Sequence, residues 1–204
     1  MYLITQSLLS SWEYLFSCYE DKCDEAYESF VKALKREPTE QTDAQRKGTE
    51  FETEVYKVVR GEDRQPHPEW ENGIKAVAEL LKGCQTQVKE KAVLEVGENK
   101  FLLYGVLDAL GAGVIKDVKF STRSFGSTDL AGRYLESPQH PAYFRLVPEA
   151  YRFDYIVSDG EDVYVESYFR KNTPPIDGLI NQFVVSIKDM GLWELYQKHW
   201  VSKK

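Results

Sequence analysis

Two short segments carry the residues best suited to chemistry. Tyr104-Gly-Val-Leu-Asp108 ends on a carboxylate, and after eight intervening residues Asp117-Val-Lys119 follows. The neighbouring residues are rich in Val, Leu and Phe, so each segment reads as a strand. Side chains two apart on a strand share a face, which makes Asp117 and Lys119 project together. Asp108 ends the preceding strand, so two carboxylates and an amine should gather at one sheet edge. That grouping suits hydrolysis of a phosphodiester. Hard carboxylate oxygens hold a magnesium ion, which keeps waters and substrate oxygens as its other ligands. The metal polarises phosphate and lowers the pKa of a bound water. A lysine can orient that water or neutralise charge growing on the phosphoryl oxygens. An isolated D-x-K is most often a surface ion pair, so the pair gains meaning from what else faces the same place.

A third carboxylate does. A predicted helix over residues 42–59 carries the apolar stripe Phe51, Val55, Val58 and Val59. At roughly 100° per residue, Glu52 lies at the edge of that stripe beside Tyr56 and Val59. Glu50 and Glu54 fall on the far side and are expected to be solvated.

Taken in order, Gly48-Thr-Glu-Phe-Glu52, Gly105-Val-Leu-Asp108, Asp117-Val-Lys119 and Gln139-His-Pro-Ala-Tyr143 resemble the four motifs of the PD-(D/E)XK nuclease superfamily, in its RecB-like and phage-exonuclease-like branch. The resemblance spans residues 48–143. It implies that Glu52, Asp108 and Asp117 are metal ligands for Mg2+ or Mn2+. It implies a catalytic set of Lys119, Asp108, Asp117 and Glu52. Gln139 and Tyr143 would order the site or touch the nucleic-acid backbone. Two departures are visible: the third motif has Asp117 where Glu is commoner, and Leu107 stands where a proline often precedes the second-motif aspartate. Neither removes a needed functional group. Cys18, Cys23 and Cys84 are one thiol short of the quartet that an iron–sulfur cluster usually takes, so no such cluster is expected.

The elements that must position these residues follow from periodicity. Residues 1–41 read as a helical N-terminal part. One helix carries Leu8, Leu9, Trp12, Leu15 and Phe16, and a second over 24–36 carries Ala26, Tyr27, Phe30, Val31 and Leu34. Helices over 42–59 and 71–81 follow. Strands are expected at 87–95, 100–107 and 114–120, with a hairpin turn at 97–99. A polar stretch over 121–137 is expected to form a loop beside the site, and 139–147 a short helix. Strands at 151–157 and 162–169 flank Asp159-Gly160, a two-residue hairpin signal. Pro174-Pro175 opens a last helix bearing Ile176, Leu179, Ile180, Phe183, Val184 and Ile187. This order predicts an α/β fold, a mixed central sheet flanked by helices like a restriction-endonuclease core. It predicts one domain over 1–204, with the nuclease core at 42–204.

Composition limits the alternatives. With 204 residues, 42% hydrophobic and 29% charged, the chain can bury a full core. The net charge of −7 disfavours binding driven by a strongly basic surface. Three scattered cysteines are no disulfide framework, and neither a signal peptide nor a membrane span is expected, so a cytoplasmic setting follows. Arg123, Arg133 and Arg145 are candidates for a basic rim contacting substrate, although ordinary surface arginines explain them equally well. His140 could approach a phosphate; His67 and His199 read as loop and terminal residues. Trp12, Tyr19 and Tyr27 could stack on bases, but their helical spacing favours core packing.

The expected function is thus metal-dependent hydrolysis of DNA, as an exonuclease or end-processing enzyme in recombination, repair or phage DNA metabolism. DNA ends would be the substrate, with a recombination partner or further copies of the chain as companions. The alternative is a module of the same fold that binds nucleic acid or assembles without cutting.

Overall fold

The computed structural model describes residues 1–125 and 130–202. Residues 126–129, within the polar stretch of the sequence reading, lie outside the described residues. The chain runs β1 (Tyr2–Thr5), α1 (Gln6–Ser17), α2 (Cys23–Lys35), α3 (Asp43–Arg60), α4 (Glu71–Leu80), β2 (Gln85–Val96), β3 (Asn99–Gly111), β4 (Val114–Phe120), α5 (Gln139–Leu146), β5 (Arg152–Ser158), β6 (Val163–Phe169), α6 (Ile176–Asp189) and α7 (Trp193–His199). The expected mixed α/β sheet is present, with six strands.

Long strand β3 organises the sheet. β2 pairs with it antiparallel along nearly its whole length, so β2 takes one edge. The other edge is shared. β1 runs parallel to residues 101–104, and β4 pairs antiparallel only at Ala109↔Lys116, Leu110↔Ile115 and Gly111↔Val114. β5 continues parallel from β4, and β6 closes the sheet antiparallel to β5. Residues 105–108 of β3 therefore face a gap between β1 and β4, and this gap holds the candidate site.

Helices cover both faces. One core joins α1, α2, α5 and α6 to the sheet through Leu9, Phe30, Leu103, Phe153 and Phe183. The other joins α3 and α4 to the opposite face through Phe51, Val55, Ile74, Val118 and Ile156. Each fully buried Leu, Ile or Phe contributes about 1.5–3 kcal/mol. Leu107 packs into the first core and Ala109, two residues on, into the second. Strand alternation would put both on one face, so β3 turns its faces over across Asp108.

The sequence reading missed β1 and α7. Apolar Tyr2–Ile4 becomes a strand by docking on β3, while Thr5, the last residue of that strand, also caps α1, its hydroxyl accepting from Leu8 N at 3.3 Å. Val201 then bridges to Tyr2, and Leu3 N donates to Trp200 O at 2.6 Å, so the two ends of the described chain meet at β1. The β5–β6 connection is a four-residue loop between Ser158 and Val163, longer than expected. Asp159 Oδ1 organises it by accepting from Glu161 N and Asp162 N at 3.1 and 2.9 Å. Of the three aromatic residues expected in the N-terminal core, Trp12 is buried but Tyr19 and Tyr27 are exposed. No helix among the described residues is long and apolar enough to cross a membrane.

Candidate active site

α3 brings Glu52 to the sheet because its start is fixed locally. Thr42 and Gln45 form a capping box: the Thr42 hydroxyl accepts from Gln45 N at 3.2 Å, and Gln45 Oε1 accepts from Thr42 N at 2.9 Å. Phe51, Val55 and Tyr56 anchor the apolar face. Glu52, at the edge of that face, is partly exposed toward a cleft of about 690 Å3 whose lining includes Gly48, Thr49, Lys119 and Phe120. Glu50 is solvated as expected, but Glu54 is not. It pairs with Lys57 at 2.7 Å and lies 3.8 Å from the nearly buried Arg64.

Asp108 sits where β3 and β4 separate. The ladder stops at Ala109↔Lys116, and the next backbone donor of β4 on this edge, Val118 N, goes to Asp108 Oδ2 at 2.8 Å. A side chain thus replaces a ladder hydrogen bond and holds the strands apart. Asp117 and Lys119 share a face of β4, and their contact is an ion pair with Lys119 Nζ 2.6 Å from Asp117 Oδ2. This buried oxygen therefore leans on the lysine's charge. Asp117 Oδ1 accepts a short hydrogen bond from Gln139 Nε2.

α5 lies over the gap. Tyr143 donates to the carbonyl of Val106 at 2.9 Å. Gly105 explains itself here, since a Cβ would come within 2.7 Å of both the Tyr143 ring and Leu146 Cδ1. The glycine of the second motif is a packing necessity. Gly48 of the first motif is different: a Cβ there meets nothing within 4 Å. The C-terminal end of α5 is clamped by Arg170, whose guanidinium donates to Phe144 O and Val147 O at 2.6 and 2.5 Å. His140 faces away from the cleft. It is buried, stacks on Tyr168 at 4.3 Å and shares a 3.2 Å hydrogen bond with Tyr155. Burial lowers its pKa to about 4, so it packs as a neutral ring and does not meet phosphate.

The site's electrostatics are strained by like charge. Burial raises the pKa of Asp108 well above the usual carboxylate value, and the Asp117 and Glu52 charges add to this. Glu52 is also raised, chiefly by burial, against the lowering effect of its hydrogen bond from Tyr56. Burial disfavours the Lys119 ammonium, but the adjacent Asp117 and then Asp108 outweigh it and hold its pKa above normal. Among the described residues, no three His, Cys, Asp or Glu side chains converge into a ready metal cluster. The three carboxylates instead share Lys119 as counter-ion. A hard divalent cation nevertheless fits the donor set. All the donors are oxygens, they destabilise one another when charged, and Lys119 is the one cation that offsets them among the described residues.

Arg133 is exposed, its guanidinium 5.9 Å from the Tyr134 ring, and Tyr134 stacks on Tyr155 at 4.1 Å. Arg123 is exposed on the segment after β4. Arg145 reaches the Val93 carbonyl at 3.5 Å, a contact to the sheet. Two residues at the site had no place in the sequence reading of the chemistry. Tyr56 donates to Glu52 Oε1 at 2.8 Å. Gln87 Nε2 donates to the Tyr56 hydroxyl at 2.8 Å and to Glu52 Oε1 at 3.4 Å.

No protein-family model matches the chain, and no curated protein sequence does. Solved structures share its fold, among them the following two. SSO0001 superposes with a TM-score of 0.53 at 13% identity, over 93% of this chain and 76% of that one. LHK-Exo, solved in complex with dAMP, superposes with a TM-score of 0.50 at 13% identity, over 96% of this chain and 92% of that one.

Proposed function

We propose that the chain is a metal-dependent nuclease that hydrolyses DNA phosphodiester bonds, acting at strand ends. One observation carries this reading: from three separate elements, Glu52 and Lys119 line one cleft, Lys119 pairs with Asp117, and Asp108 holds the backbone of Val118 between them, beside the gap between β1 and β4. Glu52, Asp108 and Asp117 would hold Mg2+ or Mn2+. When bound, the ion would polarise the scissile phosphate and acidify a bound water. Lys119 would then exchange part of its contact with Asp117 for the phosphoryl oxygens and neutralise their growing charge. Gln139 keeps Asp117 oriented, and Tyr143 fixes α5 to β3 so that Gln139 stays in place. The open cleft beside Gly48 gives a nucleic-acid backbone room to approach Glu52 and Lys119. Arg123 and Arg133 would meet its phosphates at the rim.

LHK-Exo binds dAMP, a nucleoside monophosphate of the kind that end-wise cleavage of DNA releases. This favours DNA ends over internal positions. A recombination partner or further copies of the chain are proposed companions.

The second reading is a non-cutting nucleic-acid or assembly module, favoured by the absence of a ready carboxylate cluster among the described residues. One assay separates the two: end-labelled linear and closed circular DNA, single- and double-stranded, with Mg2+, Mn2+ or EDTA, beside Lys119→Ala. Metal-dependent loss of linear DNA that Lys119→Ala lacks supports the exonuclease. Cutting of closed circles would make it an endonuclease. A folded protein that cuts nothing under any of these conditions sinks the nuclease reading in favour of the binding module.

A further inference from the structure

Gln87 has φ of 54°, a left-handed backbone that a glutamine adopts only under constraint. It does so in the interior of β2, where neither a turn nor a helix end calls for it. Among the described residues, the two other non-glycine residues with positive φ sit at such places, Arg36 at the end of α2 and Ala112 in the β3–β4 turn. The β2–β3 register is the same on both sides of Gln87: Thr86 opposes Ala109 and Val88 opposes Leu107. The residue opposite Gln87 is therefore Asp108, and this one pair is missing from the ladder. It is also where β3 turns its faces over.

The exposed side chain of Gln87 is not idle. Its amide donates to Tyr56 at 2.8 Å and reaches Glu52 Oε1 at 3.4 Å, and Tyr56 donates to that same oxygen at 2.8 Å. Two donors from different elements thus fix one oxygen of a carboxylate that is partly buried and electrostatically unfavourable. Strained backbone persists where surrounding structure over-determines it, and such places cluster at functional sites.

We infer that Gln87 and Tyr56 are positioning residues that hold Glu52 in the orientation needed to ligate the divalent cation, with the left-handed backbone at Gln87 aiming its amide there. This rests on the nuclease reading above and adds a supporting shell to it. Residues that orient a metal ligand typically change metal affinity about 10–100-fold when removed.

Gln87→Gly separates this role from a purely structural one, because glycine accepts φ of 54° freely while removing the exposed side chain that carries the amide. The measurements are thermal unfolding without metal, Mn2+ binding by electron paramagnetic resonance without DNA, and the Mn2+ dependence of DNA cleavage. They are made on the parent, Gln87→Gly and Tyr56→Phe. The expected Gln87→Gly protein unfolds no earlier than the parent yet binds Mn2+ at least about tenfold more weakly. Its cleavage is restored by raising Mn2+. Tyr56→Phe shifts Mn2+ binding in the same direction. A parent that binds Mn2+ and cuts, beside Gln87→Gly and Tyr56→Phe proteins with unchanged Mn2+ affinity, overturns the inference alone. A parent that neither binds Mn2+ nor cuts overturns the metal reading, and this inference with it.

Discussion

The two motif glycines make the same substitution, glycine to alanine, act with opposite sign. Gly48 lies inside α3, without a positive φ, and a Cβ added there meets nothing within 4 Å. Alanine should then stabilise by about 1 kcal/mol, the helix-propensity difference. For a chain of this size that raises Tm by about 2–4 °C. At Gly105 the added Cβ would stand 2.7 Å from the Tyr143 ring and from Leu146 Cδ1. The leucine tip can swing away. The tyrosine cannot, because its hydroxyl is tied to Val106 O, and tilting the ring gives up that bond or lifts α5. Overpacking of this kind costs about 1–3 kcal/mol, a Tm loss of about 2–12 °C. Lifting α5 also moves Gln139 from Asp117, so Gly105→Ala should lose cleavage beyond its loss of stability. Thermal unfolding followed by circular dichroism, with cleavage measured well below Tm, tests both substitutions. Shifts of the same sign would refute the reasoning. So would a Gly105→Ala protein with parental Tm, since α5 would then not rest on that glycine as described.

Asp108→Asn keeps an acceptor for Val118 N but removes a charge from the carboxylate group, so it should raise Tm without metal while abolishing metal-dependent cleavage; a lower Tm speaks against like-charge strain at the site. Lys119→Ala leaves Asp117 buried without its counter-ion and should destabilise the metal-free protein by about 3 kcal/mol, the low end for a broken buried pair because the lysine is a third exposed. Added Mn2+ should recover most of that loss without restoring cleavage, as read by Tm with and without the ion. The folded-state pKa values of Glu52 and Asp108 lie above their ordinary 4.5 and 3.8, so the folded state binds more protons there. Stability from this source should fall as pH rises from those values through the raised ones, and Asp108→Asn should flatten the fall. His140 runs the other way. Its pKa drops from 6.5 to about 4, so acidification through that range should remove up to roughly 3 kcal/mol, and His140→Gln should abolish that part of the profile in urea titrations at stepped pH.

The placement of the candidate site's side chains was legible because its signals are short-range. A two-residue spacing on a strand puts Asp117 and Lys119 on one face whatever surrounds them, and a capped, striped helix fixes where Glu52 falls. Residues whose placement depends on tertiary partners were not legible. Tyr2–Ile4 is an apolar tripeptide that becomes a strand only because β3 leaves an edge open to it. Glu54 reads as a solvated helix charge until Arg64, from the following loop, folds back on it. His140 reads as a polar residue inside a motif, yet the turn of α5 that aims Gln139 at Asp117 sends its neighbour into an aromatic core. Gln87 is the extreme case. Glycine or asparagine would have marked a left-handed position, whereas a glutamine in an alternating strand announces regular backbone.

The pairing of β1 has a consequence for how the molecule is made. Tyr2 finds its partner at Phe101, and Leu3 finds another at Trp200. Contacts this distant in sequence form slowly, because the loop they close must be ordered first. On a ribosome, residues 2–5 wait through the synthesis of about a hundred more before β3 exists to receive them. The seam that Trp200 completes waits for a further hundred. Until then the outer edge of β1 stays unpaired, on the strand that borders the gap beside the carboxylates. Completion of the sheet is thereby tied to the arrival of the distal helices, and a chain halted midway would present an aggregation-prone strand edge.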